Sequence, residues 1–354
     1  MQSLEQYGWK SFFQSQIHTR SGQDVLPGRV VSIRGFKYEV VTAEGAQECE
    51  LVGKLLFGAS PEDLPKVGDW VLRVASGAEG YIVDVLPRMN ELSRKAPGPK
   101  TERQVLAVNL DAALVVQGLD RDFNIMRLDR YLVQLAACNI PAVVILNKAD
   151  LTEDLSSHLA EIEKLQRSVT VYTCSTYTGK GTSELFDDVL LPGKTYALIG
   201  SSGVGKSSLL NAWKGSDVQA TGSIGEGTQK GKHTTSTRDL FMLANGSLVI
   251  DTPGMREFGV TLEEGTDADE MFPVIAALAQ RCRYSNCSHM GEDDCAVLQA
   301  LENGSLESVV YESYSKLIKE QHRFQVKATD KKRIEKQFGK MTRQASNHRK
   351  KYKY

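Results

Sequence analysis

No apolar run in the 354-residue sequence approaches the ~20 residues that a membrane-spanning helix needs; the best, Ala142 to Leu146, has the length of a buried strand. The N-terminus, MQSLEQYGWK, lacks the basic start and apolar stretch of a secretion signal, so a cytoplasmic location and no membrane partner are expected. Cysteine is scarce, at six residues, which excludes a disulfide-dense miniprotein. Net charge is nearly absent, at −1, and 41% hydrophobic against 25% charged residues excludes a largely disordered chain or a collagen-like fibre. At ~150 residues per domain the length allows two or three domains.

The small net charge conceals an asymmetry. From Lys316 onward, 14 Lys and Arg stand against three acids (Glu320, Asp330, Glu335), whereas the preceding 315 residues carry 29 basic and 41 acidic groups. A basic tail of this kind suits a polyanion, and the abundant one in a cytoplasm is RNA.

The chain changes texture along its length. Residues 1–24 form an extension with a weak apolar pattern (Leu4, Trp9, Phe12, Phe13) and no usable motif. Over 25–92, the runs GRVVSIR, FKYEVVT, ECELVGKLL, DWVLRVA and GYIVDVL, punctuated by glycine, suggest a five-stranded OB-type β-barrel. Over 103–260, apolar strand runs alternate with helical segments, which predicts a mostly parallel α/β sheet covered on both faces. Residues 261–325 hold a Cys/His cluster among helical segments, with Asn303-Gly304 as a helix stop and Ser305 expected to cap the next helix. The basic tail occupies 326–354.

Gly200-Ser201-Ser202-Gly203-Val204-Gly205-Lys206-Ser207, followed by Ser208, fits G-x-x-x-x-G-K-[ST] between a strand, KTYALI, and a helix, SSLLNAW. Glycines let backbone N–H groups curl around phosphate oxygens, and the helix N-terminus adds its positive dipole end. Lys206 is expected on the β- and γ-phosphates and Ser207 on Mg²⁺. Asn147-Lys148-Ala149-Asp150, directly after the strand AVVIL, is similar to the N-K-x-D element of GTPases. A carboxylate such as Asp150 accepts from both guanine N1–H and the exocyclic amine, and adenine would leave it unpaired.

Asp251-Thr252-Pro253-Gly254 is similar to the D-x-x-G element, in which Asp supports Mg²⁺ and the Gly N–H senses the γ-phosphate. Where a catalytic Gln would follow stands Met255, which offers no useful hydrogen bond, so another group must orient the attacking water. His233, in Gly231-Lys232-His233-Thr234-Thr235, is the candidate, with Thr234 or Thr235 closing on Mg²⁺. The motifs stand in a permuted order. N-K-x-D comes first, then Cys174-Ser175 where a base-contact loop belongs, and only then the phosphate loop, the switch and D-x-x-G. Joining the old ends through Leu191-Pro192-Gly193 restores the same sheet and leads the second switch out toward the Cys/His region.

Cys49, Cys138 and Cys174 are isolated and read as inert thiols. Cys282, Cys287, His289 and Cys295 form a complete tetrahedral set for one structural Zn²⁺, leaving no coordination position for a substrate.

The GSSGVGKSSLLN loop, the GKHTT switch, the C-x4-C-x-H-x5-C cluster, the permuted order and the preceding barrel together resemble one family, the bacterial ribosome small-subunit-dependent GTPase A family (RsgA, also called YjeQ). The resemblance runs from about Pro27 to the basic C-terminus, and Met255 fits its lack of a catalytic Gln. Cys174-Ser175 departs from the small Ser or Ala pair expected in the base-contact loop. It implies a monomeric GTPase that binds the small ribosomal subunit and its rRNA with GTP and acts late in subunit maturation. The subunit would stimulate hydrolysis to GDP, releasing the enzyme and, with it, another assembly factor. Two alternatives stay open: a GTP-dependent switch on non-ribosomal RNA, and a metallochaperone GTPase.

Overall fold

The structure, a computed structural model, describes residues 3–17, 25–76, 79–95, 103–214, 239–250 and 271–320. The chain divides into two compact units, the first holding residues 1–163 and 167–261, the second 164–166 and 262–354.

The first unit opens with a short 3-10 turn, Leu4–Tyr7, and a helix α1, Ser11–Ile17. Five strands follow: β1 (Leu26–Arg34), β2 (Lys37–Thr42), β3 (Gly45–Leu51), β4 (Trp70–Ser76) and β5 (Glu79–Val85). They close in the order β1-β2-β3-β5-β4, with β3 and β5 parallel, around Val30, Val40, Cys49, Val71 and Ile82. This is the expected OB-type barrel. The run ECELVGKLL is not one strand, however. Its pairing with β5 ends at Leu51↔Ile82, and Gly53–Gly58 coils into a helical turn, α2, that carries the chain across to β4.

The N-terminal extension is part of this unit's core. Trp9 and Phe13 pack their rings on Trp70 at 4.6 and 5.7 Å, and Phe13 and Trp70 are wholly buried. Beside them Arg29, 1% exposed, donates Nε to the Gly68 carbonyl at 3.2 Å and Nη1 to Thr195 Oγ1 at 2.9 Å and to the Tyr7 carbonyl. One guanidinium therefore joins extension, barrel and nucleotide domain; its N–H groups find buried acceptors, and the charges of Asp111 and Asp69 offset part of its burial cost.

A two-stranded ribbon, β6 (Glu91–Lys95) with β7 (Arg103–Val108), leads to the α/β sheet. That sheet alternates β8 (Ala112–Gly118), α3 (Ile125–Ala137), β9 (Ala142–Asn147), α4 (Leu155–Glu163), β10 (Thr170–Thr173), α5 (Thr182–Val189), β11 (Thr195–Ile199) and α6 (Lys206–Lys214). β12 (Leu240–Met242) and β13 (Leu248–Ile250) complete it in the order β10-β9-β8-β11-β13-β12. All neighbours are parallel except β12 and β13. β8 and β11 are buried along most of their length and mainly apolar, Gln117 and Thr195 excepted, because both faces are covered; Leu114, Val116, Ile145, Leu198 and Val249 form the centre of the core.

The permutation joint is visible between α5 and β11. Tyr196 Oη donates to the Val189 carbonyl at 2.6 Å and accepts from Leu191 N–H at 3.1 Å. Gly193 N–H reaches the Gly246 carbonyl in the β12–β13 turn at 2.8 Å. The segment Leu191-Pro192-Gly193 is thus stitched down at both ends.

The second unit contains α7 (Pro273–Ala279), α8 (Ala296–Glu302) and a helix running from 308 to 320, packed through Phe272, Ile275, Val297, Val310, Tyr314 and Leu317. Gly304 lies at φ 78 just beyond α8, as a helix stop requires. Ser305 does not cap the following helix. Its hydroxyl turns back to the Ala300 carbonyl at 3.3 Å, while its N–H is held by Asn303 Oδ1 at 3.0 Å. Among the described residues no helix is long and apolar enough to cross a membrane.

Candidate functional site: a nucleotide cleft and a metal cluster

Because β8, β9, β10, β11 and β13 are parallel, the loops that follow them crowd one edge of the sheet, where ligands bind in open α/β folds. Asn147–Asp150 follows β9, Cys174-Ser175 follows β10, and Gly200–Ser208 follows β11. The sequence-predicted residues of these three loops are therefore brought together. His233, Thr234, Thr235, Asp251, Gly254 and Met255 lie outside the described residues, as does the basic tail.

The phosphate loop owes its path to glycine at two close approaches. Gly200, at φ 149, passes against the Val116 carbonyl, and Gly205, at φ 98, against Asn147 Nδ2; a Cβ at either position would collide. α6 starts immediately afterwards, leaving Ser202, Gly203, Ser207 and Ser208 exposed around its N-terminus. Lys206 Nζ arches back over the loop to the carbonyls of Gly200 at 2.8 Å and Ser201 at 2.6 Å. A glycine-bent loop, a helix N-terminus and an ammonium gathered together are the parts of an anion cradle.

Asn147 is wholly buried and spends its amide on neighbouring loops. Nδ2 donates to the Val204 carbonyl at 2.9 Å, and Oδ1 accepts from Thr176 N–H at 3.1 Å. Asp150 is the carboxylate at the edge of the cleft, with Oδ1 accepting the Ser175 hydroxyl; Ser175 Oγ in turn accepts Thr178 N–H at 3.1 Å. The Cys174 carbonyl accepts Ala149 N–H at 3.1 Å, so the two loops hold each other in register. The Cys174 thiol is buried and pushed up to about 12 by desolvation, which makes it inert. Cys49, also buried, rises to about 11 for the same reason.

Sequence reasoning missed the loop after β8. Asp120 Oδ2 pairs with Lys148 Nζ at 2.6 Å, and Asp122 accepts the Ser201 hydroxyl. Burial pushes the Asp120 carboxyl up, but hydrogen bonds from Lys148 and from Asp122 N–H outweigh it and hold the group below the usual aspartate value. The available signal was the acidic run Asp120-Arg121-Asp122 directly after an apolar parallel strand.

In the second unit, Cys282, Cys287, His289 and Cys295 converge with all four donor atoms within 4.8 Å of one another. Cys282 Sγ lies 3.9 Å from Cys295 Sγ and 3.6 Å from His289 Nδ1, which is 3.4 Å from Cys295 Sγ. A tetrahedral ion with Zn–S bonds of about 2.3 Å requires sulfur edges of about 3.8 Å. The donors therefore fit zinc in type, number and spacing. The loop around them is organised by Glu292, whose carboxylate accepts the Ser288 hydroxyl and the N–H groups of Ser288, Met290 and Gly291. Those hydrogen bonds, Ser288's first, draw its carboxyl down to about 2. Tyr311 Oη fixes the His289 carbonyl at 2.9 Å.

A parallel sheet presenting a phosphate loop and an N-K-x-D loop at one edge, with the strands in this permuted chain order, defines a circularly permuted GTPase. The family model described as RsgA GTPase matches residues 85–261. The small ribosomal subunit biogenesis GTPase RsgA 1 of Bacteroides thetaiotaomicron is 37% identical over 98% of both chains, and RsgA of Opitutus terrae 41% identical over 90% of both. This chain belongs to the RsgA GTPase family. The crystal structure of YjeQ from Thermotoga maritima matches with a TM-score of 0.64 at 28% identity, covering 84% of this chain and 98% of that one. The crystal structure of YloQ, a circularly permuted GTPase, matches with a TM-score of 0.61 at 28% identity, covering 84% and 95%. A second model, described as ABC transporter, matches residues 189–343; it includes the phosphate loop but not Asn147–Asp150.

Proposed function

We propose that this GTPase acts in biogenesis of the small ribosomal subunit, binding the subunit with GTP, hydrolysing GTP under its stimulation and leaving with GDP. The observation that carries the nucleotide half is the 2.9 Å hydrogen bond from Asn147 Nδ2 to the Val204 carbonyl, which makes the guanine-type loop and the phosphate loop one cleft. The relatives, small ribosomal subunit biogenesis GTPases, carry the ribosomal half.

In this reading the backbone of Gly200–Ser208 wraps the phosphates, Lys206 neutralises the β- and γ-phosphates, and Asp150 accepts from the guanine edge beside Cys174 and Ser175. Mg²⁺, when bound, neutralises phosphate charge; Ser207 would hold it with Thr234 or Thr235, supported by Asp251, while Gly254 senses the γ-phosphate. Water attacks the γ-phosphorus and gives up a proton as the bond to the bridging oxygen breaks, yielding GDP and inorganic phosphate. His233 orients that water in place of the Gln that Met255 cannot replace. Zn²⁺ on Cys282, Cys287, His289 and Cys295 is structural. The chain works as a cytoplasmic monomer, with its basic tail on rRNA, and its departure frees another assembly factor.

The test is GTP turnover by the purified chain alone and with small subunits, large subunits and whole ribosomes, using ATP as control. Large stimulation confined to the small subunit and to GTP is the expected result. Equal stimulation by short free RNAs would move the function to other RNA; no stimulation by any particle would remove the ribosomal role and leave the GTPase.

A further inference from the structure

β8 lies between β9 and β11 in the sheet, so the loop it feeds into α3 emerges between the guanine-type loop and the phosphate loop. Two carboxylates leave that loop in opposite directions. Asp120 Oδ2 takes the Lys148 ammonium at 2.6 Å, toward β9. Asp122 Oδ2 takes the Ser201 hydroxyl, toward β11.

The loop is itself braced. Asp122 N–H donates to Asp120 Oδ1 at 2.9 Å, Arg127 Nη2 pairs with Asp122 Oδ2 at 3.0 Å, and Asn124 Oδ1 caps α3 on Arg127 N–H at 2.8 Å. Leu119 N–H reaches the Asn147 carbonyl at 2.8 Å, tying the loop to the motif from the backbone side. Lys148 is held at φ 63, a left-handed conformation unusual for a side chain of its length. Anchoring its ammonium on β8's loop ties that loop to the segment that carries Asp150.

Two carboxylates beside a phosphate cradle oppose an anionic ligand by charge, so attraction to the nucleotide is not their use. Each is instead consumed by a partner in the nucleotide-binding loops. We propose that Asp120 and Asp122 are positioning residues that lock Lys148 and Ser201 and thereby set nucleotide affinity, making the base-reading and phosphate-binding loops a single preformed unit. This rests on the nucleotide reading above. The effect falls on binding of GTP and GDP alike, and therefore on KM rather than on kcat.

The experiment is GDP affinity by calorimetry and GTP turnover for the full chain. Asp120→Ala is expected to weaken GDP binding and raise KM by roughly tenfold, the worth of one hydrogen bond to a charged group, with kcat within about twofold. Asp120→Asn keeps one oxygen for the ammonium but loses the charge and the acceptor for Asp122 N–H, and should recover only part of the affinity. In a Lys148→Met background the same Asp120→Ala change should have little further effect, because its partner is gone. Asp122→Ala should give a similar loss that largely disappears in a Ser201→Ala background. Unchanged GDP affinity in Asp120→Ala and Asp122→Ala, or losses that simply add to those of the partner variants, would overturn the proposal while the wild-type chain still bound GDP. Failure of the wild-type chain to bind GDP would overturn the nucleotide reading itself.

Discussion

Asn147 and Val204 stand 57 residues apart in sequence and meet at 2.9 Å, side-chain amide to main-chain carbonyl, with the other end of the same amide on Thr176. Three loops on three strands are held by one side chain that lies out of solvent. The nucleotide cleft is therefore preorganised by its own guanine-type motif, and Asn147 serves the architecture of the site more directly than its surface chemistry.

Replacing Asn147 by Ala should accordingly destabilise the nucleotide-free protein as well as weaken nucleotide binding. It removes the partner of the buried Val204 carbonyl and of the part-buried Thr176 N–H, at a cost of about 1–3 kcal/mol. Asn147→Asp keeps the acceptor for Thr176 but turns a carboxylate oxygen toward the Val204 carbonyl, and should be no better. Urea unfolding without nucleotide is the check; a wild-type midpoint for Asn147→Ala would show that these bonds stabilise nothing.

A second expectation concerns pH. At the seam between the N-terminal extension and the nucleotide domain, Asp111 accepts Lys10 Nζ at 2.7 Å, Lys194 Nζ at 3.2 Å and Thr195 N–H at 2.9 Å. Burial raises its pKa, but the bonds from Lys10 and Thr195 and the attraction of Lys10 prevail, holding it below the ordinary 3.8. A carboxylate depressed in the folded state contributes stability that is complete above its unfolded value and lost as pH falls through the folded one. Asp111→Asn should therefore be less stable than wild type by a constant margin from neutral pH down to about 4, and the margin should close below that. Urea midpoints at pH 7, 5 and 3 measure it, and an undiminished margin at pH 3 would count against the seam.

The metal cluster gives the third. The purified chain should carry one Zn²⁺ per molecule, released by a strong chelator together with loss of helical signal from the second unit, because a structural ion supplies folding free energy. Cys295→Ser should lose the ion. Glu292→Gln keeps all four donors but removes a charged acceptor from three N–H groups of the loop, and should hold zinc about 10-fold more weakly or worse. Zinc content indistinguishable from zero in wild type, with the fold intact, would remove zinc from this site.

Much of this was legible in the sequence, for definable reasons. β8, β9 and β11 are short continuous apolar runs because parallel strands are buried on both faces, and the phosphate loop is local, its glycines fixed by its own turn. The Cys3His spacing pointed to the four side chains that converge, because thiolates and imidazole have few other reasons to gather without disulfides. What stayed hidden depends on distant contacts. Phe13 and Trp9 give only a weak apolar pattern, and their role shows once Trp70 arrives beneath them from the barrel. Asp120 and Asp122 acquire a role only because β8 lies between β9 and β11, a neighbourhood that chain order conceals. Asn147 carried the right motif, but only the folded loops reveal that its amide points inward.

The sharpest test of the cleft is Gly205→Ala. Gly205 sits at φ 98, where an L side chain is strained, and a new Cβ would strike Asn147 Nδ2. Either the phosphate loop shifts outward or the Asn147–Val204 bond breaks, and both routes damage the same cradle. Strain of this kind costs about 1–3 kcal/mol, and the displaced bond adds roughly 1 kcal/mol more. GDP affinity should therefore fall by at least about 30-fold. Gly203→Ala is the control: its φ of 86 is also positive, but nothing lies within 4 Å of the added carbon, so its penalty is backbone strain alone and should be the smaller. Calorimetric titration of both variants with GDP decides it. Equal losses would mean that backbone conformation alone governs the loop, and that its contact with Asn147 does not set the cleft.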